Sequence, residues 1–417
     1  MSKKVYFKTF GCRTNQFDTQ IMISKLNDFE LTQDESEADI VVVNSCTVTN
    51  GADSSVRGYI NSLKRKNREG KVILAGCGAH SKGEELFEKG DLFGVLGHSE
   101  KENINTLLKS NNRFYEIGDL NHIDSSVVTE FVGKSRAFIK VQEGCDFRCS
   151  YCIIPYVRGN ARSLPLEQIK DQVRVLAANG FGEFILTGTN VGSYGKDRGL
   201  SIAKLIKELS MIRGVRRVRI GSLEPLQIDD EFMELLNEPF MARHLHIALQ
   251  HTADKMLLYM NRRNRYREDL KLFKKIASHG YALGTDFIVG HPGESDALWK
   301  EAIERVKELP LTHMHAFTYS PRDNTPSALI KERINGKIAK ERHRELTALV
   351  KEKNLEFRRE HSNDLTVLIE DERDGFYRGY DQYYNQVFVK SSRDLKHNWI
   401  FLEKSEVEER ANYATLE

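Results

Sequence analysis

The sequence predicts an α/β protein of 417 residues that folds as three consecutive units. Strand-like apolar runs alternate with helical segments in two blocks, which a polar connector around residues 119–135 separates, and residues 363–417 read as short strands. The length also exceeds what one hydrophobic core usually organises. We therefore predict a doubly wound parallel sheet over residues 1–120, a partial (β/α)6 barrel over residues 134–362 and a small β-barrel over residues 363–417.

The first unit contains apolar runs that lack the polar alternation of a half-exposed strand, such as Ala38–Asn44. Such runs are typical of parallel strands that helices cover on both faces. The expected strands are Lys4–Phe10, Ala38–Asn44, Lys71–Ala75 and Asp91–Leu96, and the expected helices are Gln16–Asn27, Val56–Lys66, Lys82–Lys89 and Glu102–Ser110.

The second unit repeats the strand–helix alternation six times, which predicts an incomplete version of the eightfold barrel. The expected strands are Ala137–Gln142, Glu183–Thr187, Val215–Ile220, His244–Ala248, Gly284–Val289 and His313–Tyr319. A charged helix over Ala339–His361 precedes the third unit, whose strand-like runs are LTVLIEDE, QVFVKSS and NWIFLEK.

The bulk composition is that of a globular protein, with 40% hydrophobic and 29% charged residues. The formal net charge is only +2, so any binding of nucleic acid depends on local basic patches. No apolar stretch reaches the roughly 18 residues of a membrane span, and the first residues lack the apolar core of a signal peptide. We therefore expect a cytoplasmic enzyme without membrane contacts, in which disulfides are not expected.

Three of the six cysteines, Cys145, Cys149 and Cys152, form a C-x3-C-x2-C motif in the sequence GCDFRCSYC. The motif follows the first strand of the predicted barrel, and active sites of such barrels are built at that end of the strands. Three thiolates on one loop can hold three irons of a [4Fe–4S] cluster and leave the fourth iron open to a small ligand. The alternatives are a zinc site that lacks one ligand and three unrelated thiols.

The remaining cysteines, Cys12, Cys46 and Cys77, each follow one of the first three strands of the first unit. In an open α/β sheet the loops beyond the carboxyl ends of the strands line one crevice. A single buried cysteine means little, but three at equivalent strand ends should converge in space. The sequence thus predicts a second metal cluster on these three residues, with buried structural thiols as the alternative.

These motifs resemble the methylthiotransferase family of radical S-adenosylmethionine (SAM) enzymes over essentially the whole chain. FGCRTNQFD, VVVNSCTVT and ILAGC are similar to the N-terminal domain of that family, and GCDFRCSYCIIPYVRGNARSLP is similar to its radical SAM loop. ILTGTNVGSYG, RIGSLEP, MNRRNRY, TDFIVGHPGE and YSPRDNTPSA follow in the family's order. The last unit resembles the small RNA-binding TRAM module. The barrel is accordingly expected to be a radical SAM barrel.

The segments GCRTNQ and IIPYVRGNARSLP resemble the branch that adds a methylthio group to C2 of N6-threonylcarbamoyladenosine at position 37 of tRNA. Two other branches act on isopentenyladenosine in tRNA and on an aspartate of a ribosomal protein, and both remain alternatives. A non-catalytic iron–sulfur protein that binds RNA is a more distant one.

The resemblance implies two [4Fe–4S] clusters, SAM as cofactor, and a tRNA anticodon stem-loop as substrate. It also implies an electron donor such as flavodoxin or ferredoxin, and a separate sulfur donor. SAM would bind the open iron of the cluster on Cys145, Cys149 and Cys152 and yield a 5′-deoxyadenosyl radical on reduction. The second cluster would hold the sulfur that is transferred.

The resemblance also suggests SAM-binding residues. Tyr151, between two of the cysteines, would contact the adenine, and Gly182 with Glu183 would bind the methionine amino group. Glu224, at the end of the third barrel strand, would contact the ribose. Ordinary packing, a surface position and a capping role are the respective alternatives.

Candidate RNA contacts come from basic and aromatic clusters. The least charge-balanced basic run is Arg262, Arg263, Arg265 and Arg267, which we predict to bind phosphate. The mixed-charge helix Ala339–His361 fits a solvated face better. Stacking platforms for unpaired bases are expected among Tyr377, Tyr380, Tyr383 and Tyr384, although core packing explains at least some of them.

Overall fold

The computed structural model describes residues 2–66, 70–129, 131 and 134–416. The outermost residues of the predicted units, Met1 and Glu417, lie outside the described part. The described residues form the three expected kinds of structure in the expected order. None of the described helices combines the length and the apolar character that crossing a membrane requires.

The N-terminal sheet has six parallel strands in the order β2-β1-β3-β4-β5-β6. Its strands are β1 (Lys4–Thr9), β2 (Glu30–Leu31), β3 (Ile40–Ser45), β4 (Lys71–Gly76), β5 (Gly94–Leu96) and β6 (Phe114–Glu116). Its helices are α1 (Arg13–Ser24), α2 (Asn50–Lys66), α3 (Cys77–Glu88) and α4 (Ile104–Leu107).

Helices cover this sheet on both faces, as the sequence predicts. Alternate residues of the fully buried strand β3 pack in opposite directions, so Val41 joins one apolar cluster and Val42 another. The first cluster contains Ile60 of α2, and the second contains Met22 of α1. The expected pattern is confirmed, whereas the short edge strands β2 and β6 were not predicted.

The central unit has six parallel barrel strands and one short antiparallel strand, β8. Isolated bridges, including Leu223 with Ile247, connect the two halves of the barrel. The strands are β7 (Arg136–Glu143), β8 (Arg162–Ser163), β9 (Glu183–Gly188), β10 (Arg217–Ile220), β11 (His244–His246), β12 (Ala282–Val289) and β13 (His313–Thr318). All six predicted barrel strands are confirmed.

Helices alternate with these strands, and the last one is the longest. They are α5 (Ile154–Arg158), α6 (Leu166–Ala178), α7 (Ile202–Ser210), α8 (Asp230–Glu234), α9 (Asp254–Tyr259), α10 (Tyr266–Ala277), α11 (Asp296–Glu308) and α12 (Gly336–Glu360). Helix α12 packs along the edge strand β13 through buried residues such as Leu346 and Val350, and it leads into the third unit.

The C-terminal unit is a curled six-stranded sheet in the order β17-β14-β15-β16-β19-β18, antiparallel except for the pair β16–β19. Its strands are β14 (Asn363–Arg373), β15 (Phe376–Tyr380), β16 (Gln386–Ser391), β17 (Trp399–Lys404), β18 (Glu406–Val407) and β19 (Asn412–Leu416).

This sheet contacts the amino ends of the barrel strands. Arg217 of β10 donates to the Thr366 carbonyl at 3.0 Å, and Arg136 of β7 donates to Glu370 at 2.8 Å. The C-terminal unit therefore lies at the opposite end of the barrel strands from the predicted cysteine loop.

Candidate active site

All six cysteines of the chain line one cavity of about 420 Å3 between the N-terminal sheet and the barrel. None of them forms a disulfide. Strands of two separate units point their carboxyl ends into the same space, so both cysteine triads face one chamber. The sequence predicts each triad separately but not that they share a cavity.

The N-terminal triad comes from three adjacent parallel strands. Cys12 caps the start of α1, Cys46 directly follows β3, and Cys77 is the first residue of α3 after β4. The backbone beside them is crowded, because a Cβ added to Gly11 would lie 2.7 Å from the Cys46 Cβ. Gly11 also has a φ of +99°, which strongly favours glycine.

The barrel triad lies on the loop that follows β7, and backbone hydrogen bonds fix this loop. The Cys145 amide donates to the Gly159 carbonyl at 3.0 Å, and the Cys152 amide donates to the Cys149 carbonyl at 3.0 Å. Ser150 is tied to the segment after α9, since its amide donates to the Met260 carbonyl at 3.0 Å. The three thiols are therefore held on a defined loop at the barrel mouth.

Nitrogen donors from the chain point at three of the six sulfurs. Arg158 Nε donates to Cys77 Sγ at 3.1 Å, Asn190 Nδ2 to Cys145 Sγ at 3.6 Å, and Arg262 Nη1 to Cys149 Sγ at 3.7 Å. N–H donors of this kind stabilise negative charge on sulfur, and hydrogen bonds to the sulfurs of an iron–sulfur cluster tune the reduction potential of that cluster.

Burial makes these thiols hard to ionise without a cation. It raises the pKa of Cys77 and of Cys152 to about 12, and it also raises the pKa of Cys46 and Cys145. Such thiols are poor nucleophiles at neutral pH, whereas a bound metal would favour their thiolate form. The donor set thus fits metal ligation better than nucleophilic catalysis.

The spread of the sulfurs distinguishes a cluster from a single ion. Four thiolates around one zinc at about 2.3 Å would lie roughly 3.8 Å apart. Among the described residues, the groups whose donor atoms all lie within 4.8 Å of one another contain no cysteine. Neither triad therefore has the close spacing that a single zinc ion requires.

A buried ionic network joins the two units at the cavity wall. The fully buried Arg158 of α5 donates to Asn15 at 2.6 Å and to Asp18 at 3.0 Å, both on α1, and it also pairs with Glu143 of β7. Lys140 of β7 reaches the same Asp18 at 2.6 Å. Since removing one partner of a buried ion pair is costly, this network fixes the N-terminal triad relative to the barrel.

Two of the predicted SAM contacts lie on the cavity wall. Tyr151 lines it and meets His291 edge-on, with 6.5 Å between ring centroids. Glu224 also lines it and accepts a hydrogen bond from Arg262 at 2.8 Å. Their location suits the predicted contacts, which remain predictions.

The prediction for Gly182 and Glu183 is wrong. Both lie at the amino end of β9, away from the cysteines, and Glu183 is fully buried in ion pairs with Arg217 at 2.6 Å and Arg219 at 2.9 Å. A Cβ on Gly182 would approach the indole of Trp399 in the C-terminal sheet to 3.0 Å. The cavity lies at the other end of this strand, and Arg217, which pairs with Glu183, also donates to the Thr366 carbonyl of the C-terminal unit.

The arginine run divides between cavity and surface. Arg262 is 5% exposed and bound to Glu224, so its predicted role in binding phosphate is wrong. Arg265 donates to two nearby carbonyls, Arg263 lies over the Phe147 ring at 5.3 Å, and Arg267 is exposed. Only the last three remain available as RNA contacts.

The tail tyrosines are mostly engaged within the protein. Tyr380 and Tyr384 stack on each other at 4.9 Å, and Arg136 lies over both rings. Tyr383 packs edge-on against Phe357 of α12. These three rings serve the contact between the barrel and the C-terminal unit, which agrees with the packing alternative, and their use as stacking platforms for RNA stays a prediction.

Several cavity residues were not predicted. Asn190 follows β9, while Asp286 lies within β12 and accepts hydrogen bonds from His246 at 3.1 Å and His315 at 3.3 Å. These imidazoles hold the pKa of Asp286 well below its usual range, despite burial. Their position in the sequence could have indicated Asn190 and Asp286, because both occur in or just after strands that end at the cavity.

Two family models match the chain. Residues 4–97 match the uncharacterized protein family UPF0004, and residues 139–306 match the radical SAM superfamily. Among solved structures, the radical SAM methyltransferase TsrM from Kitasatospora setae superposes with a TM-score of 0.62 at 16% identity, covering 79% of this chain and 77% of that one. At such identity the likeness concerns the fold.

Curated relatives match nearly end to end. A Helicobacter pylori protein with a provisional methylthiotransferase name is 52% identical, covering 99% of this chain and 100% of that protein. Threonylcarbamoyladenosine tRNA methylthiotransferase MtaB of Aquifex aeolicus is 36% identical, over 85% of this chain and 89% of that protein. The tRNA-2-methylthio-N(6)-dimethylallyladenosine synthase of Fervidobacterium nodosum is 32% identical, over 91% and 90%.

Proposed function

Because the chain belongs to the radical SAM methylthiotransferase family and its MtaB-like branch, we propose that it adds a methylthio group to C2 of N6-threonylcarbamoyladenosine at position 37 of tRNA. The family makes the protein a transferase that uses a [4Fe–4S] cluster and SAM. The particular nucleoside, the count of two clusters and the ligand assignments are parts of the proposal.

The observation that carries the proposal is the single cavity lined by both triads. Cys145, Cys149 and Cys152 would hold the cluster that binds SAM, and Cys12, Cys46 and Cys77 would hold the second. When bound, the first cluster with SAM supplies a carbon-centred radical, and the second supplies sulfur. A reaction that joins carbon to sulfur needs both at one place, whereas an electron-transfer cluster needs no share in the substrate cavity.

The chain's own residues orient these groups and exclude water. Asn190 and Arg262 donate to sulfurs of the barrel triad, and Arg158 donates to the N-terminal triad. Glu224 pairs with Arg262 and faces the same space, which suits a hydroxyl-bearing ribose. Walls from two units enclose the chamber, so an activated carbon is protected from side reactions.

Polar groups on the cavity wall support the threonylcarbamoyl nucleoside over the dimethylallyl one. Asn190, Gln250 and Asp286 line the cavity, and His246 and His315 flank Asp286. The threonylcarbamoyl group carries hydroxyl and N–H groups that can donate to Asp286, and carboxylate and carbonyl oxygens that can accept from the amides of Asn190 and Gln250, whereas a dimethylallyl group offers no hydrogen bonds.

The proposal includes partners that this chain does not supply. A low-potential electron donor such as flavodoxin or ferredoxin would reduce the barrel cluster, and a sulfur donor would renew the transferred sulfur. The cytoplasm, where tRNA is modified, is the proposed location.

The test is an anaerobic assay of the reconstituted protein with tRNA that carries either nucleoside. Methylthiolation of the threonylcarbamoyl nucleoside, measured by mass spectrometry of nucleosides, is expected, with about eight irons per chain. Cys46→Ser should keep about four irons and form 5′-deoxyadenosine without product, and Cys145→Ser should form neither.

Three results would point elsewhere. Methylthiolation of the dimethylallyl nucleoside alone would show that this nucleoside is the substrate. Methylthiolation of a ribosomal protein would show that the substrate is a protein and not an RNA. No 5′-deoxyadenosine from protein with a full iron content would indicate a non-catalytic iron–sulfur protein.

A further inference from the structure

A second groove, of about 830 Å3, opens beside the six-cysteine cavity. Its walls are the start of α2, the end of β13 with the segment that follows, and α12. Thr49 and residues 317–320 line both the groove and the cavity. The groove therefore adjoins the chamber where the reaction would take place and shares a wall with it.

Contacts between the two units hold the groove in shape. The Asn50 amide at the start of α2 donates to Ser320 Oγ at 2.9 Å, and Arg322 donates to the Asn50 side chain at 2.8 Å. Arg322 also pairs with Asp53 at 2.7 Å. A surface fixed in this way needs little rearrangement to bind a partner.

Two cations on the groove wall are free of acidic partners. Lys340 and Arg344 are exposed, lie one turn apart on the same face of α12, and line the groove. No carboxylate oxygen of residues 2–66, 70–129, 131 and 134–416 lies within 4 Å of either side chain's charged nitrogens. Arg342 on the same helix differs, since it is buried and pairs with Glu294 at 2.7 Å.

An aromatic ring stands where groove and cavity meet. Phe317 on the edge strand β13 lines both spaces, and its relative exposure is 45%. A large apolar ring beside unpaired cations is a typical site for an unstacked base and its neighbouring phosphates.

We propose that this groove binds the single-stranded loop of the substrate RNA, with Lys340 and Arg344 on phosphates and Phe317 stacked on a base next to the one that enters the cavity. This inference rests on the proposed function. The unpaired cations favour a polyanion over a protein loop, and the wall that the groove shares with the cavity places the bound strand beside the reactive centre. Lys340 and Arg344 would thus make the phosphate contacts that the sequence predicts for Arg262.

The test compares Lys340→Ala/Arg344→Ala with Lys351→Ala/Arg359→Ala, a matched pair of exposed cations on the same helix outside the groove. Binding of a labelled anticodon stem-loop to the reconstituted protein is measured between about 50 and 200 mM salt. Each lost phosphate contact lowers the slope of log affinity against log salt by about 0.7–0.9.

In Lys340→Ala/Arg344→Ala, the groove variant, the slope of log affinity against log salt should therefore be smaller in magnitude by about 1.4–1.8. Over that fourfold range of salt, the wild-type affinity should fall about seven to twelve times further than that of the groove variant. The matched control should keep the wild-type slope. Phe317→Ala should weaken binding about five- to 150-fold with an unchanged slope, since stacking is largely independent of salt.

An unchanged slope and affinity in the groove variant would overturn the inference. So would weaker capture of a ribosomal-protein substrate with unchanged affinity for RNA. Failure of the proposed function is a different result, in which wild-type protein yields no methylthiolated nucleoside from tRNA. Formation of 5′-deoxyadenosine without RNA should be the same in the groove variant and in wild type, which separates lost binding from a damaged active site.

Discussion

Replacing Arg158 with methionine should loosen the contact between the N-terminal sheet and the barrel. The substitution keeps most of the volume but removes the guanidinium that bonds Asn15, Asp18 and Glu143. Breaking a buried ion pair costs about 3–5 kcal/mol. We expect about 3 kcal/mol, because Lys140 also contacts both Asp18, at 2.6 Å, and Glu143, at 3.4 Å.

Hydrogen exchange of the α1 amides, followed by mass spectrometry, measures this change locally. A loss of about 3 kcal/mol corresponds to roughly 150-fold faster exchange wherever local opening governs it. Arg136→Met is the matched control, since it removes another buried arginine of the barrel that pairs with Glu370 of the tail. It should accelerate exchange in the C-terminal sheet and leave the α1 amides from Phe17 onward unchanged, since only the first residue of α1, Arg13, contacts Tyr384 beside Arg136. Unaltered α1 exchange in Arg158→Met would refute the role assigned to the network.

Three further predictions concern other positions in the barrel and the N-terminal unit. Glu183→Gln should lower the free energy of unfolding by about 3–5 kcal/mol, because it breaks a buried ion pair, and should leave the SAM dissociation constant unchanged. Glu224→Ala should weaken SAM binding, measured by calorimetry. Weaker SAM binding in Glu183→Gln would reinstate the SAM contact that the structure contradicts. Gly11→Ala should lose about half of the bound iron, while Gly51→Ala, whose added Cβ meets nothing closer than 3.8 Å, should keep all of it. Burial raises the pKa of Asp269 to about 7, so its stabilising contribution is present below pH 4 and is lost as the pH rises through 7. Between pH 4 and 7, the free energy of unfolding of Asp269→Asn, measured in urea, should therefore rise relative to that of the wild type by about 1.4 kcal/mol per pH unit. A variant that is already more stable than the wild type at pH 4 would contradict this assignment.

The regular elements were predictable where the sequence pattern is long. All six barrel strands and the buried strand β3 follow from their apolar runs. The edge strands β2 and β6, of two and three residues, are too short for any pattern. Helices α1 and α3 begin at Arg13 and Cys77, earlier than expected, because their first turns are polar or small and carry no apolar periodicity.

The site was predictable through its cysteines and less so through its other residues. Spacing and strand ends indicate both triads, but their common cavity depends on how two units dock, which no local pattern encodes. Glu183 was misplaced because a strand-start residue lies at the end of the strand opposite the active-site mouth. A run of four arginines likewise does not reveal that Arg262 turns inward while Arg267 stays outside.

The contact between Arg158 and Cys77 has a consequence for the order of biosynthesis. The sulfur and its donor are 81 residues apart in sequence, so a nascent chain displays the first three cysteines well before the residue that completes their surroundings. A cofactor inserted at that stage would be open to oxygen and to competing metals. We therefore expect maturation of the N-terminal centre to follow translation of the barrel, with iron delivered to a chain whose units have already docked.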